Sequence, residues 1–531
     1  MELYWMILLP PAMGSIALFL SWKKSKLVMM LLQIFLVVAA GVNFWLVRTS
    51  GEVIQTIGGW PLEVGISLRN DTLASVMILL TVFIYFGVLI FNFQKSYSDS
   101  MFLFLLMTLQ GLMIGMLLSN DLFTIFVLIE VATVIISLLI MYKKDTQAIY
   151  DGLLYLLTNV VGMTFFLMGL GMLYKTTGVT TPPSLSAIIP TIADSKSLFL
   201  PYAFILTGVS LKIALVPVFS WLPKAHGTPS APSVISAVLS GLYVKNGVYL
   251  FLRLQDVFAS QIDTDLFFLG IGFLTAVVGF TLAIAQKDIK LILAYHTISQ
   301  IGLIMMGINT DSPHTYWGGV YHMVSHAFFK STLFLTAGMI IDEYKTRDVY
   351  RISGVFKTMP FVSVISILAV LGITGAPLFN GSISKYFISY GMKDTWLEYG
   401  LILVNLGTIV SFLKYSRMFQ GRGKRRESKK DYYRKGVIFV FGAMCFIGGI
   451  FGVFFIEYFF AVPLQVNTGD YWIKGLLFFM SILVGWLIYR YVVIGNKWLE
   501  RIRNFDLNFN QISMCIVSFF GALMAYLHLF Q

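Results

Sequence analysis

Apolar residues run in unbroken stretches from one end of the chain to the other, separated by short polar connections. A helix of about 20 such residues, rising about 1.5 Å per residue, covers the hydrocarbon core of a bilayer. The period-2 alternation that marks the strands of a membrane β-barrel is absent. The pattern predicts an all-α, polytopic membrane protein with about sixteen transmembrane helices, near residues 3–20, 27–47, 72–93, 101–118, 121–142, 150–174, 199–222, 231–254, 265–286, 289–308, 315–341, 359–391, 396–419, 436–457, 471–494 and 511–530. Only Ser119-Asn120-Asp121 parts the fourth run from the fifth, and the division is required because the joined run is too long for one crossing.

Two runs carry interruptions. Pro217 lies in the seventh, and Gly375-Ala376-Pro377 with Gly381 lies in the twelfth. Proline removes a backbone donor and clashes with the preceding turn, so both helices are expected to break at mid-depth. A packing kink accounts for either proline alone. Two breaks, one near Lys212 and one near Lys385, point instead to an inverted-repeat transporter and its ion path.

Composition supports the membrane reading: 57% of the 531 residues are hydrophobic and 12% are charged, with a mean hydropathy of +0.81. The formal charge of +12 does not imply a nucleic-acid partner, because the bases are spread among loops between spans. Lys23, Lys24 and Lys26 follow the first span, Lys143 and Lys144 the fifth, and Lys287 and Lys290 the ninth. The cluster from Lys414 follows the thirteenth, and Arg490, Lys497, Arg501 and Arg503 follow the fifteenth. All fall after odd-numbered spans, which places those loops in the cytoplasm and both termini outside. The basic cluster follows the first apolar run rather than preceding it, so that run is expected to be a retained span and not a cleaved signal. Cys445 and Cys515 lie in apolar runs without metal or redox spacing and are expected to pack.

Inside the predicted spans stand one acid, Glu130, and four lysines, Lys212, Lys245, Lys330 and Lys385; every other charge is expected in a loop or near a span end. A charge at membrane depth costs about 2.5 to 3.5 kcal/mol on insertion scales, so five together require a reason. His322, His326 and Lys330 follow one another at i, i+4 and i+8 on one face of the eleventh span. That span offers no carboxylate or thiolate as a third ligand, so no metal is expected. A row of His and Lys with one Glu suits proton relay, because burial and a movable carboxylate act in opposite directions on a lysine's hold on its proton. A static network is costly, since one acid cannot neutralise four lysines. No dinucleotide fingerprint, phosphate-binding loop or paired-cysteine motif occurs, so neither a cofactor nor a redox or hydrolytic site is expected in this chain.

The segment LKIALVPVFSWLPKAHGTPSAPSVISAVLSGLYVKNGVYLFLR resembles the signature of the proton-pumping membrane subunits shared by respiratory complex I, Mrp-type sodium/proton antiporters and membrane-bound hydrogenases. So do DLFTIFVLIEVATVIISLL, AQKDIKLILAYHTISQIGLIMMGI and SHAFFKSTLFLTAG, in the family's order. GGWPLEVGISLRNDTLASVM looks most like the Mrp D subunit. The resemblance implies two inverted five-helix repeats, at 101–254 and 265–419, preceded by three spans in 1–100 and followed by a basic loop and three spans in 420–531. It implies a gate of Glu130 with Lys212, a first carrier at Lys245, a crossing by His322, His326 and Lys330, and an outlet at Lys385. Lys224 and His226 are then the cytoplasmic intake. The partners implied are protons, with Na+ as a candidate, and other membrane subunits of a complex in a prokaryotic cytoplasmic membrane. The alternatives are an antiporter-like subunit of a hydrogenase or dehydrogenase complex, and a non-pumping scaffold that docks a soluble partner through Arg422 to Lys430. The last two spans exceed the usual fourteen of the Mrp D-type chain.

Overall fold

Aspartates in the connections start many of the helices. In a computed structural model that describes residues 2–60, 65–95, 97–423 and 431–531, the side chains of Asp71, Asp99, Asp121, Asp145 and Asp288 each accept a backbone N–H from the first turn that follows. They satisfy donors that a helix start leaves open. The narrow division between the fourth and fifth spans works this way: Ser100–Leu118 ends, and Asp121 accepts from Thr124 N at 2.6 Å to begin Leu122–Ile140.

The fold is helical throughout the membrane region. Among the described residues, fourteen helices are long and apolar enough to cross a bilayer. The other two expected spans are shorter: the first, Tyr4–Ala17, and the interrupted twelfth, whose first half is Pro360–Thr374. One strand pair, missed in the sequence, occupies the long connection after the second span, where Val53–Thr56 pairs antiparallel with Ser67–Asn70.

Both predicted breaks are present. The seventh span, Phe199–Ile213, stops at Ala214, which takes a left-handed conformation with φ 62°, and resumes as Trp221–His226. The break therefore opens three residues before Pro217. Trp221 Nε1 donates to the freed Leu211 carbonyl at 2.8 Å, and Val216 N donates to Thr275 Oγ1 at 3.0 Å, so the irregular backbone stays satisfied inside protein. The twelfth span stops at Thr374, turns at Gly375 with φ 81° and resumes as Asn380–Ile388. A Cβ on Gly381 would sit 1.9 Å from the Gly372 carbonyl oxygen, so only glycine lets the two halves approach there. A third irregularity was not foreseen: the eighth span, Ser233–Phe258, contains a π turn at Leu239–Tyr243, which ends two residues before Lys245.

Contacts between connections sort into two sets. After odd-numbered spans, Lys143 donates to the Pro229 carbonyl, Arg347 pairs with Asp288, Lys95 and Arg434 pair with Asp342, and Lys224 pairs with Asp506. Burial lowers the Lys95 ammonium's hold on its proton, partly offset by Asp342. After even-numbered spans, Arg253 pairs with Asp71, Asn120 donates to Ser67, and Gly391 N donates to Thr315. The termini join this second set, through Leu3 N to Gln55 Oε1 at 2.7 Å and Asp263 N to Gln531 Oε1 at 2.9 Å. Basic loops thus share one face and both termini share the other.

Lys290 and Lys414 lie near span ends as expected, the first in the opening turn of the tenth span and the second in the last turn of the thirteenth, and both are buried. Each ammonium is drawn inward by backbone carbonyls, that of Ala231 for Lys290 and those of Ala283, Ile284 and Gln286 for Lys414. Of the basic cluster, residues 424–430 lie outside the described residues, and with them most of the expected docking segment Arg422 to Lys430.

Candidate functional site

Lys212 is the penultimate residue of the first half of the seventh span and is buried. Its Nζ donates to Thr133 Oγ1 at 2.8 Å, one turn along the fifth span from Glu130. Glu130 is half-buried with Oε1 unpartnered, and its charge interacts with that of Lys212 across the intervening space. The expected pair is therefore brought together electrostatically, with Thr133 as the direct contact. Beside it lie the buried hydroxyls of Tyr155 and Tyr243, which interact with each other and with Thr133.

Tyr243 ends the π turn, and Lys245 follows two residues later. A π turn leaves a carbonyl outside the regular ladder, and here Lys245 Nζ donates to the Ser240 carbonyl five residues back. The same Nζ meets His326 Nδ1 of the eleventh span, so the fully buried Lys245 joins residues on either side of the chain's midpoint. His326 Nε2 is buried and unpartnered, and its ring centroid lies 6.4 Å from that of His322.

His322 bridges two elements. Its Nε2 lies 3.1 Å from Gln300 Oε1 in the tenth span, and its Nδ1 lies 2.8 Å from Ser384 Oγ in the second half of the twelfth. A neutral ring meets both partners by donating from Nε2 to Gln300 and accepting the Ser384 hydroxyl proton at Nδ1. Lys385 is the next residue. Its Nζ donates at 2.8 Å to Asn405 Oδ1 and at 2.8 Å to the Ile373 carbonyl, which belongs to the negative end of the preceding half-helix. Lys330 turns away from this line: its Nζ donates to the Leu293 carbonyl of the tenth span at 2.5 Å. The structure thus brings Lys245, His326, His322 and Lys385 into one series and places Lys330 to its side.

The expected intake residues also separate. Lys224 Nζ is 2.6 Å from Asp506 Oδ1 and 2.7 Å from the Leu507 carbonyl, on the face of the basic loops. His226 is fully buried, with Nδ1 on the Leu222 carbonyl at 2.6 Å and Nε2 unpartnered.

Sequence reasoning missed Thr133, Gln300, Ser384, Asn405 and His296. His296 is fully buried, with Nε2 against Ser411 Oγ and its ring within electrostatic reach of Lys330, Lys385 and Lys414. The i, i+4 spacing of His296 and Gln300 was the available signal. Among the described residues, no group of three or more His, Cys, Asp and Glu is arranged to hold a metal ion.

Comparison with known proteins places this geometry. The chain is 32% identical over 410 residues to the A-type component of the Na(+)/H(+) antiporter of Alkalihalophilus pseudofirmus, a match that spans 70% of this chain and 50% of that protein. It is 27% identical over 399 residues to the D-type component of the antiporter of the same organism, covering 73% of this chain and 80% of the relative. The fold is similar to that of a chain in the Mrp complex from Dietzia sp. DQ12-45-1b, with a TM-score of 0.78, 22% identity, and coverage of 90% of this chain and 99% of the other. The profile of the family described as NADH:quinone oxidoreductase/Mrp antiporter, TM, matches residues 119–413. That stretch contains every residue of the buried series, and the chain is a multi-pass membrane protein that belongs to the NADH:quinone oxidoreductase/Mrp antiporter transmembrane family.

Proposed function

We propose that the chain carries protons through the membrane along the buried polar series, as one subunit of a multi-subunit antiporter complex of the Mrp type. The observation that supports this most is the contact of Lys245 with His326, because it sets a titratable group from the first half of the chain directly against one from the second. Lys224 takes protons up on the face of the basic loops. The Glu130 and Lys212 pair, with Thr133 between its members, controls loading of Lys245. His326 and His322 pass the proton to Ser384 and Lys385. Lys330 biases the crossing by its charge. Sodium/proton exchange is the reaction of the assembled complex, in keeping with the names of the antiporter relatives.

The two repeats, 101–254 and 265–419, each contain a broken span, and the lysines stand on opposite sides of the two breaks: Lys212 just before one, Lys385 just after the other. The face of the basic loops is the cytoplasmic one by the positive-inside rule, so both termini are outside. The reading is tested by Glu130→Ala and Lys212→Ala, each assembled and reconstituted in vesicles. The expected result is loss of proton transport with the complex intact; unchanged transport in either variant refutes the relay.

A further inference from the structure

A cavity of about 170 Å³ lies between the second half of the twelfth span, the thirteenth span Trp396–Ser416 and the fifteenth span Thr468–Ile488. Lys385 and Asn405 line its deep end, Glu398 and Lys474 stand nearer the helix ends, and much of the remaining wall is apolar. The fifteenth span lies beyond the stretch matched by the family profile, yet its first turns grip the half-helix that carries Lys385. The Leu378 N–H donates to Tyr471 Oη at 2.9 Å, and the Tyr471 hydroxyl is 2.8 Å from Ser382 Oγ. Lys474 Nζ donates to Ser389 Oγ and sits 4.8 Å from the centre of the Tyr386 ring. Asn467 N donates to Tyr386 Oη at 3.1 Å. Glu398 begins the thirteenth span and Asp470 the fifteenth, both at the terminus-bearing end, and both lie within electrostatic reach of Lys474.

We propose that Lys474 keeps alkali-metal cations out of this cavity, the vestibule by which the outlet of the relay at Lys385 meets the face that carries the termini. The inference rests on the relay reading. In the release step an N–H bond of the Lys385 ammonium breaks, and its proton passes by water to the Glu398 carboxylate, where an O–H bond forms. The carboxyl group then gives the proton to bulk water, and Lys385 stays neutral until it is reloaded from Ser384. A hydrated proton is relayed by hydroxyl and water groups without residing at one point. A sodium ion must replace its hydration shell with oxygen ligands, and to enter it must pass the Lys474 ammonium, which stands in the cavity wall. Lys474 is thus a positioning and selectivity residue, tied to the half-helix at Ser389 and acting on the cavity by its charge.

The test uses the assembled complex in sealed vesicles, with Cys445 and Cys515 replaced by serine. In the variant Ser481→Cys, whose residue lines the cavity, a membrane-impermeant thiol reagent is expected to label from the face of the termini and not from the face of the basic loops. In Lys474→Glu, with sodium held constant on both faces, rubidium added on the terminus face is expected to inhibit proton transport at about tenfold lower concentration than in the parent, as a two-unit change of charge near a surface site implies. No labelling from the terminus face, or an unchanged rubidium response, overturns the inference. Lys385→Ala separates the two levels: transport that survives this change sinks the relay reading itself, whereas transport lost there with an unaltered Lys474→Glu response sinks the vestibule alone.

Discussion

Lys212, Lys245, Lys330 and Lys385 each have the proton-bearing nitrogen on a carbonyl or hydroxyl oxygen rather than on a carboxylate: Thr133 for Lys212, Ser240 for Lys245, Leu293 for Lys330, and Ile373 with Asn405 for Lys385. Such dipoles stabilise an ammonium without fixing it as an ion pair does, which leaves both protonation states within reach. In the proposed relay the histidines decide the route. His322 touches both Gln300 and Ser384, so His322→Phe, which keeps a ring but removes both contacts, is expected to cut proton transport about a hundredfold, the usual worth of one positioned proton-transfer group. Vesicle transport assays on the assembled variant measure it, and near-parental rates would move the crossing to Lys330 and His296. The charged members of the site were legible because apolar runs make a lysine or glutamate conspicuous. Thr133, Ser384 and Asn405 were not, since a hydroxyl or amide in a membrane helix is common and only its neighbour across the interface gives it a role.

Breaks in helices place those residues, and the sequence marked two of three. Pro217 and the Gly375-Ala376-Pro377 turn were visible from backbone chemistry, although the first break opens at Ala214 because its left-handed turn lets Trp221 cap Leu211. The π turn before Lys245 has no proline or glycine pair to announce it. It arises where Ser240 bonds Thr297 and Gly241 packs against Ser331, contacts that only the folded bundle provides. At the second break the crowding is severe. Gly381→Ala is expected to destabilise the protein by about 1 to 3 kcal/mol, the range for overpacking a close contact. The measurement is the unfolding temperature in detergent, where an unchanged value would mean the two half-helices can part without cost.

At the scale of the whole molecule, hydrogen bonds and ion pairs between connections keep odd-numbered loops with odd and even with even. The same division follows from the basic residues alone, because lysine and arginine are retained on the cytoplasmic side during insertion. Single cysteines at Lys144 and Asp263, in a cysteine-free background, are expected to react with an impermeant reagent from opposite sides, Asp263→Cys from outside and Lys144→Cys from the cytoplasm; labelling of both from one side would contradict the sixteen-span topology. What the sequence did not disclose is the work of the C-terminal spans, which place Asp506 against Lys224 on one face and Lys474 against Ser389 toward the other. Those contacts connect segments more than 80 residues apart, and neither has a local signature. The central claim, that protons cross the chain's midpoint at the contact between Lys245 and His326, is tested most directly by Lys245→Met. This change keeps the length and apolar stem of the side chain and removes its proton. Measured as proton uptake into vesicles holding the intact complex, the account predicts loss of transport with subunit composition unchanged; transport at the parental rate would contradict it.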